Sequence, residues 1–432
     1  MFFQYFCMDN RNTRKMRILI FTPDLSPADM KRPYNTGFSL MVNQIAESLG
    51  EEGYEVFVSC SAFFSERRKS GHYTLMERNA RLMASHIRMK DIAKAVKYAF
   101  LSPKKTLHER RTLLKYSLST GFCQYIIKET NPDAVFIHSA MPAVIPFISA
   151  SIRCNRPFVI TLHGVFHRFS PSFQTYMEKS VMKVLIKKGV TVTAISSGTR
   201  RRLLEECGCG ERHNVKTVLN ASPAPQNIPA EKVKGQIVAV GNICERKNQA
   251  QLLRAFALLP ERLKEKSTLV LIGKDTLGGS LQRLAASLGI SGKCCFTGSL
   301  SHRLTYEYMA HSDILVLPSK DEGFGLPITE GYKSGLPAVC FNDIDAFADL
   351  YNPLCMIGVT QRSDKALAEA ITQALQKDWD RDAIRAFGEK FSTKEMARQY
   401  AQALAEEKGG KISEQEFDKA VNSYIMRTDY LS

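Results

Sequence analysis

Short, unbroken apolar runs recur along this chain, each followed by a stretch with helical spacing. Met16–Thr22 (MRILIFT) ends at Pro23, and Phe38–Gly50 then repeats Leu40, Ile45 and Leu49 at helical intervals. Tyr54–Cys60 (YEVFVSC) is the next run. Apolar residues at nearly every position mark strands covered on both faces, the usual state of a parallel sheet. Strand, loop, helix and strand in that order form a βαβ unit. The rhythm continues through strands at Ala134–His138, Phe158–Leu162 and Thr191–Ile195. Helices are expected between them, around Thr120–Lys128, Ser172–Lys188 and Gly198–Glu206.

Asn220–Ala230 (NASPAPQNIPA) carries three prolines and interrupts the pattern, which reads as a linker. The alternation then restarts. Strands are expected at Gln236–Val240, Thr268–Ile272, Cys295–Thr297, Ile314–Leu317 and Ala338–Phe341, with helices at Gln249–Leu259 and Leu281–Leu288. The fold class is therefore α/β, with two Rossmann-like domains facing each other across a cleft. Their expected ranges are 16–222 and 231–392, and the cleft is the expected site because open α/β sheets bind ligands beyond the carboxyl ends of their strands. Residues 1–15 read as a disordered leader, too short for a secretory signal. Residues 393–432 read as a C-terminal helix and tail, with a return to the first domain as one option. The helix is expected at Phe391–Ala405, with a capping-box-like start at Ser392.

Composition excludes several classes. Hydrophobic residues make up 44% and charged residues 24%, values that support packed cores and argue against disorder. No apolar run reaches the roughly 18–20 residues needed to span a bilayer. The 11 cysteines are scattered without paired CxxC knuckles, which argues against structural zinc and fits reduced thiols in the cytoplasm.

Charge placement says more than charge amount. The net charge is +16; residues 1–220 hold 33 Lys and Arg against 17 Asp and Glu, whereas the remainder holds 26 of each. Residues 61–118, where a minimal Rossmann half needs one helix, carry 14 basic and 4 acidic side chains. Leu75, Leu82, Met83, Ile87, Ile92, Val96 and Phe100 recur near helical spacing there. Arg78, Arg81, Arg88, Lys90, Lys94 and Lys97 fill the remaining faces. An apolar stripe with a cationic face suits an anionic membrane surface. A core helix with a solvated basic face is the competing reading. No nucleic-acid module accompanies the charge, so nucleic acid is not expected as a partner.

The most specific stretch is Asp321–Gly335 (DEGFGLPITEGYKSG), directly after the apolar run ILVLPS. Gly323 and Gly325 let the backbone approach a ligand, and Pro327 suits the first turn of a helix. Amides at such a helix start favour an anion such as a diphosphate. Glu330 could accept from the two hydroxyls of a ribose, and Glu322 from hydroxyls of a sugar. A glycine turn followed by an ordinary helix is the alternative.

These residues resemble the family 4, or group 1, retaining glycosyltransferases of the GT-B fold. The family's pair of glutamates eight apart, enclosing GFGLP, stands here as Glu322 to Glu330. The resemblance implies that Glu322 contacts the donor sugar, Glu330 holds the nucleotide ribose, and the loop at Phe324, Gly325 and Leu326 meets sugar and phosphate. Val240–Asn248 (VGNICERKN) resembles the family's diphosphate clamp. Lys247 matches its lysine and Arg246 lies beside it, while Asn242 replaces a frequent arginine. Thr161-Leu162-His163-Gly164 resembles the segment whose histidine reaches the donor sugar, although a lone His after a strand can be purely structural. Asn35-Thr36-Gly37-Phe38 resembles a glycine loop near the phosphates, with one glycine where many relatives have two. Phe296–Leu300 resembles the loop beneath the base, which places Leu300 at the donor.

The resemblance implies a metal-independent transfer of a sugar, with retention, from a nucleoside-diphosphate sugar to a hydroxyl acceptor. No cofactor is implied beyond the donor itself. The expected acceptor is a saccharide or lipid-linked saccharide in bacterial surface polysaccharide assembly, which implies a cytoplasmic protein peripheral to the inner membrane face. Asp343-Ile344-Asp345 is an Asp-x-Asp match in a late loop and lies outside any expected metal site. A GT-B-fold sugar-nucleotide 2-epimerase and a non-catalytic nucleotide-sugar-binding protein are the alternative functions.

Overall fold

The computed structural model describes residues 14–25, 37–61, 66–100, 106–138, 143–164, 173–223 and 232–425. Most of the expected leader, the Asn35-Thr36 pair and most of the proline-rich linker lie outside the described residues.

One sheet is built from β1 (Arg17–Thr22), β2 (Glu55–Cys60), β3 (Arg68–Ser70), β4 (Tyr73–Leu75), β5 (Ala134–His138), β6 (Phe158–Leu162), β7 (Val192–Ala194) and β8 (Val215–Thr217). Its order is β3-β4-β2-β1-β5-β6-β7-β8. The registered pairs are parallel apart from the β3–β4 hairpin. The accompanying helices are α1 (Gly37–Glu51), α2 (Ala80–Ser85), α3 (Met89–Phe100), α4 (Leu107–Leu118), α5 (Thr120–Thr130), α6 (Ile145–Arg153), α7 (Phe173–Lys187) and α8 (Ser197–Cys207). Strands β1, β2, β5 and β6 are almost wholly buried, as covering on both faces requires. Phe21 of β1 stacks flat on Phe147 of α6 at 4.5 Å.

The second sheet contains β9 (Gln236–Val240), β10 (Thr268–Ile272), β11 (Cys294–Gly298), β12 (Ile314–Leu317), β13 (Ala338–Phe341) and β14 (Met356–Val359). Its order, β11-β10-β9-β12-β13-β14, is the doubly wound arrangement, and every registered pair is parallel. Helices α9 (Gln249–Ala257), α10 (Glu261–Lys266), α11 (Ser280–Ser287), α12 (His302–His311), α13 (Leu326–Lys333), α14 (Phe347–Leu350), α15 (Asp364–Gln376) and α16 (Arg381–Gly388) accompany it. The chain closes with α17 (Thr393–Glu406) and α18 (Glu414–Ile425).

Contacts group the chain into two compact units. The first comprises 1–161, 172–192 and 397–432; the second comprises 162–171 and 193–396. The division therefore falls at 192/193 rather than at the proline-rich stretch. Residues of α8 explain part of this. Buried Arg202 pairs with Asp321 at 3.3 Å and Asp345 at 3.0 Å, and the Ser196 hydroxyl donates to the Gly323 carbonyl at 2.9 Å. From residue 397 onward the final helices belong to the first unit, where buried Tyr400 packs on Phe136 at 4.9 Å and Glu407 accepts from the Thr191 amide at 2.9 Å.

The basic insertion departs from the single stripe expected of it. Leu75 lies in strand β4 and Arg78 is buried, its guanidinium 5.0 Å from the centre of the Phe122 ring. Lys94 is also buried and bonds to Asp418 and to Ser149. Arg78 and Lys94 therefore do not share an outer cationic face with their neighbours. Each long side chain found a partner or ring supplied by a distant element, which no local spacing encodes.

Candidate active site

In the second sheet the strand order reverses between β9 and β12, so the loops leaving their carboxyl ends lie side by side. Those loops are 241–248 and 318–325. Their backbones are stitched together where the Lys320 amide donates to the Arg246 carbonyl at 2.8 Å. Asn248, itself in a left-handed conformation, donates to the Pro318 carbonyl at 3.3 Å. The topology thus brings Lys247 and Glu322 together from positions 75 residues apart.

Lys247 Nζ lies 2.5 Å from Glu322 Oε2, and Arg246 Nη1 lies 3.4 Å from the same oxygen. Arg246 also donates to the Asp321 carbonyl at 2.8 Å. Lys247 and Glu322 are mostly buried, while Arg246 stays exposed. Burial alone would raise the Glu322 carboxyl, but Lys247 and then Arg246 outweigh it, and the group is held below its ordinary value. Glu322 is therefore an ionised carboxylate at neutral pH. Gly241, with φ of 141°, leaves room for the lysine stem: a Cβ there would stand 3.2 Å from Lys247 Cε.

The GFGLP turn runs directly into α13. Gly325 takes φ of 94°, and a Cβ on it would meet Leu317 and Ile328 at 3.3 and 3.4 Å. No side chain caps this helix start. Pro327 has no N–H and the Ile328 amide donates to the Gly325 carbonyl at 2.9 Å, so the Leu326 amide is the donor at this helix start that an anion could meet. Leu326 is partly exposed, whereas the Phe324 side chain is core, 2% exposed and edge-on to Phe391. Of Phe324 only the main chain is left for a ligand.

Glu330 lies in α13, and its carboxylate has a partner that sequence reasoning missed. His302 Nε2 stands 3.2 Å from Glu330 Oε1. That hydrogen bond, opposed by burial and aided by the glutamate charge, raises the imidazole above its ordinary value. His302, two residues beyond Leu300, opens α12, whose start is capped by Ser301. Leu300 is partly buried and packs against the core of the second unit. A lone histidine at a helix start carries no signal of this pairing.

His163 follows β6 immediately, and a Cβ on Gly323 would stand 3.1 Å from its carbonyl oxygen. The chain thus places the histidine next to the glycine loop. Burial pushes its imidazole down to about 3, so the ring is neutral at ordinary pH. Gly37 begins α1 in the first unit, with nothing near its Cβ position. Asp343 is engaged by Arg362 at 2.6 Å, and Asp345 by Arg202. Among the described residues no group of His, Cys, Asp and Glu side chains is placed to hold a metal ion.

Comparison with known proteins meets this geometry. Residues 223–391 match the model of glycosyl transferases group 1, and residues 36–221 match that of glycosyltransferase family 4. The O-antigen chain mannosyltransferase B of Escherichia coli is 29% identical over 53% of this chain and 64% of its own. The chain spans about three fifths of the length of the curated relatives it matches. The crystal structure of Anabaena HepE in complex with UDP and glucose superposes with a TM-score of 0.64 at 17% identity, covering 90% of this chain and 99% of that one. WaaG, a glycosyltransferase involved in lipopolysaccharide biosynthesis, superposes with a TM-score of 0.59 at 16% identity, over 94% of this chain and 98% of its own. The fold is thus GT-B. With both of its halves matched, the chain belongs to the group 1, or family 4, glycosyltransferases.

Proposed function

We propose that this protein moves a sugar from a nucleoside-diphosphate sugar to a hydroxyl acceptor, with retention at the anomeric carbon. The observation that carries the reading is the convergence of Lys247, Arg246 and Glu322 beside an uncapped helix start that leads to Glu330. Two cations and the Leu326 amide at the start of α13 suit a departing diphosphate, whose charge grows as the glycosidic bond breaks. Glu330, one turn along, suits the ribose hydroxyls, and Glu322 suits hydroxyls of the sugar.

In this reading the acceptor hydroxyl attacks from the face that the diphosphate leaves. Its proton passes to the leaving phosphate oxygen. No side chain is cast as a covalent nucleophile. Lys247 and Arg246 carry the neutralising charge, so neither a metal nor another cofactor is invoked. Neutral His163 can donate to a sugar hydroxyl without adding charge. Gly37 keeps only the assignment that the resemblance implies.

The acceptor is proposed to be a lipid-linked saccharide of bacterial surface polysaccharide assembly, met at the cytoplasmic face of the membrane. The O-antigen and lipopolysaccharide roles named for the two relatives support this choice. No helix among the described residues is long and apolar enough to cross a membrane, so attachment would be peripheral.

The test is a panel of UDP-, GDP- and ADP-sugars incubated with an acceptor lipid extract. Release of nucleoside diphosphate that requires both donor and extract supports transfer. Release without acceptor from every donor, or none from any, contradicts it.

A further inference from the structure

Helix α3 is amphipathic, yet it is mounted with its charged side inward. Asp91 is fully buried and pairs with Arg153 of α6 at 2.5 Å; Arg153 also pairs with Glu414 of α18 at 2.5 Å. One turn further, buried Lys94 bonds to Asp418 of α18 and to Ser149 of α6. This ionic network consumes the polar side of the helix. The opposite side carries Met89, Ile92 and Val96, which are 80%, 40% and 46% exposed. Positions 89, 92 and 96 fall on one helical stripe, flanked by exposed Lys90 and Lys97.

Neighbouring segments extend the same character. Ile87 precedes α3 and is exposed, and α4 adds exposed Leu107 and Leu114 with exposed Arg111 and Lys115. An apolar stripe turned to solvent leaves its burial energy unrealised, so it implies a surface that covers it. The rim supplies the chemistry of that surface. It is cationic overall: of the two acidic residues in α3 and α4, Asp91 is held inside by Arg153 and Glu109 accepts from the Thr106 amide and hydroxyl at the start of α4.

We propose that α3 and α4 form an interfacial docking face for an anionic lipid bilayer, with Met89, Ile92 and Val96 entering the headgroup boundary. The exposed Lys90, Lys97, Arg111 and Lys115 meet lipid phosphates around them. This rests on the lipid-linked acceptor reading and specifies the surface that serves it. The buried pairs Asp91–Arg153 and Lys94–Asp418 act as the mount that keeps the apolar side outward. Arg78 and Lys94, both buried, take no part in lipid contact.

The experiment is sedimentation of the full chain with vesicles of phosphatidylglycerol and phosphatidylcholine, or of phosphatidylcholine alone. The wild type is expected in the pellet with the anionic vesicles at 0.1 M salt and in the supernatant with the neutral ones. Raising salt to 1 M, which shortens the screening length from about 10 Å to about 3 Å, should release most of it. Met89→Ser with Val96→Ser, and separately Lys90→Gln with Lys97→Gln, should each lower the bound fraction several-fold. Leu354→Ser, an exposed leucine of the second unit, should leave it unchanged. Unaltered thermal unfolding midpoints confirm that the variants fold. Wild-type protein that ignores anionic vesicles, or patch variants that bind like wild type, would overturn the proposal. So would a concentration-dependent dimer abolished by the patch variants in protein that binds no lipid, which would make the face an interface between copies. UDP, GDP and ADP binding, measured by calorimetry on the same samples, reports on the donor site separately. Lipid docking without nucleotide binding would sink the transfer reading while leaving this face standing.

Discussion

Lys247 and Glu322 neutralise each other at 2.5 Å, so the cation proposed to hold a leaving diphosphate is already paired with a carboxylate. Such a pair is a poor source of ground-state affinity, because a donor must compete with the glutamate for the lysine. Its value lies where charge develops. Lys247→Ala is therefore expected to lower kcat more, in proportion, than it raises the donor KM. Steady-state kinetics check this, and equal proportional changes in both would remove Lys247 from the leaving-group role. The His302–Glu330 pair makes a different prediction. Its hydrogen bond raises the imidazole, so the stabilisation is fully present below the ordinary histidine value near 6.5 and is lost as pH rises through the raised value. His302→Gln should therefore destabilise the protein more at pH about 5.5 than at pH about 8. Chemical denaturation at the two pH values measures it; an equal loss at both would mean that the imidazole charge is not involved.

Helix α3 shows how far an element can be read from its own residues. The strands were legible because their burial on both faces is written as unbroken apolar runs: Gln236–Val240, Thr268–Ile272, Ile314–Leu317 and Ala338–Phe341 fall where the sequence places them. The turn into α13 was legible because a glycine at positive φ, Gly325, followed by a proline at a helix start has few other uses. The orientation of α3 was not. Its spacing predicts a stripe and a charged face, but which side turns inward is decided by Arg153, Glu414 and Asp418, contributed by α6 and α18. The three-residue strands β3 and β4 were hidden for a related reason, since Arg68 and Lys69 look like surface charge until a hairpin pairs them. Arg153→Ala should leave Asp91 buried and unpaired, costing about 3–5 kcal/mol, and pairing it with Asp91→Ala should recover part of that loss. Urea denaturation of the cycle tests it. A single mutant costing under about 1 kcal/mol would mean that the network does not hold α3 in place.

At the scale of the whole molecule, the proposed chemistry is divided by unit. The residues proposed to meet the donor, from His163 to Glu330, lie in the second unit, whereas the exposed apolar and basic face lies in the first. The sequence showed the same division as charge: 33 basic against 17 acidic residues up to position 220, and balance beyond it. What it could not show was that His302 would pair with Glu330 or that Arg202 would bind α8 to Asp321, since both pairings join separate elements of the chain. The central claim is that the second unit binds a nucleoside diphosphate through Glu330 at the ribose. Calorimetric titration of the full chain with UDP, GDP and ADP, repeated on Glu330→Ala, tests it most directly. At least one nucleotide should bind the wild type, and the variant should bind it roughly ten- to a hundredfold more weakly, the loss expected for a charged hydrogen bond of about 1.5–3 kcal/mol. Equal affinity in a folded variant would contradict the account.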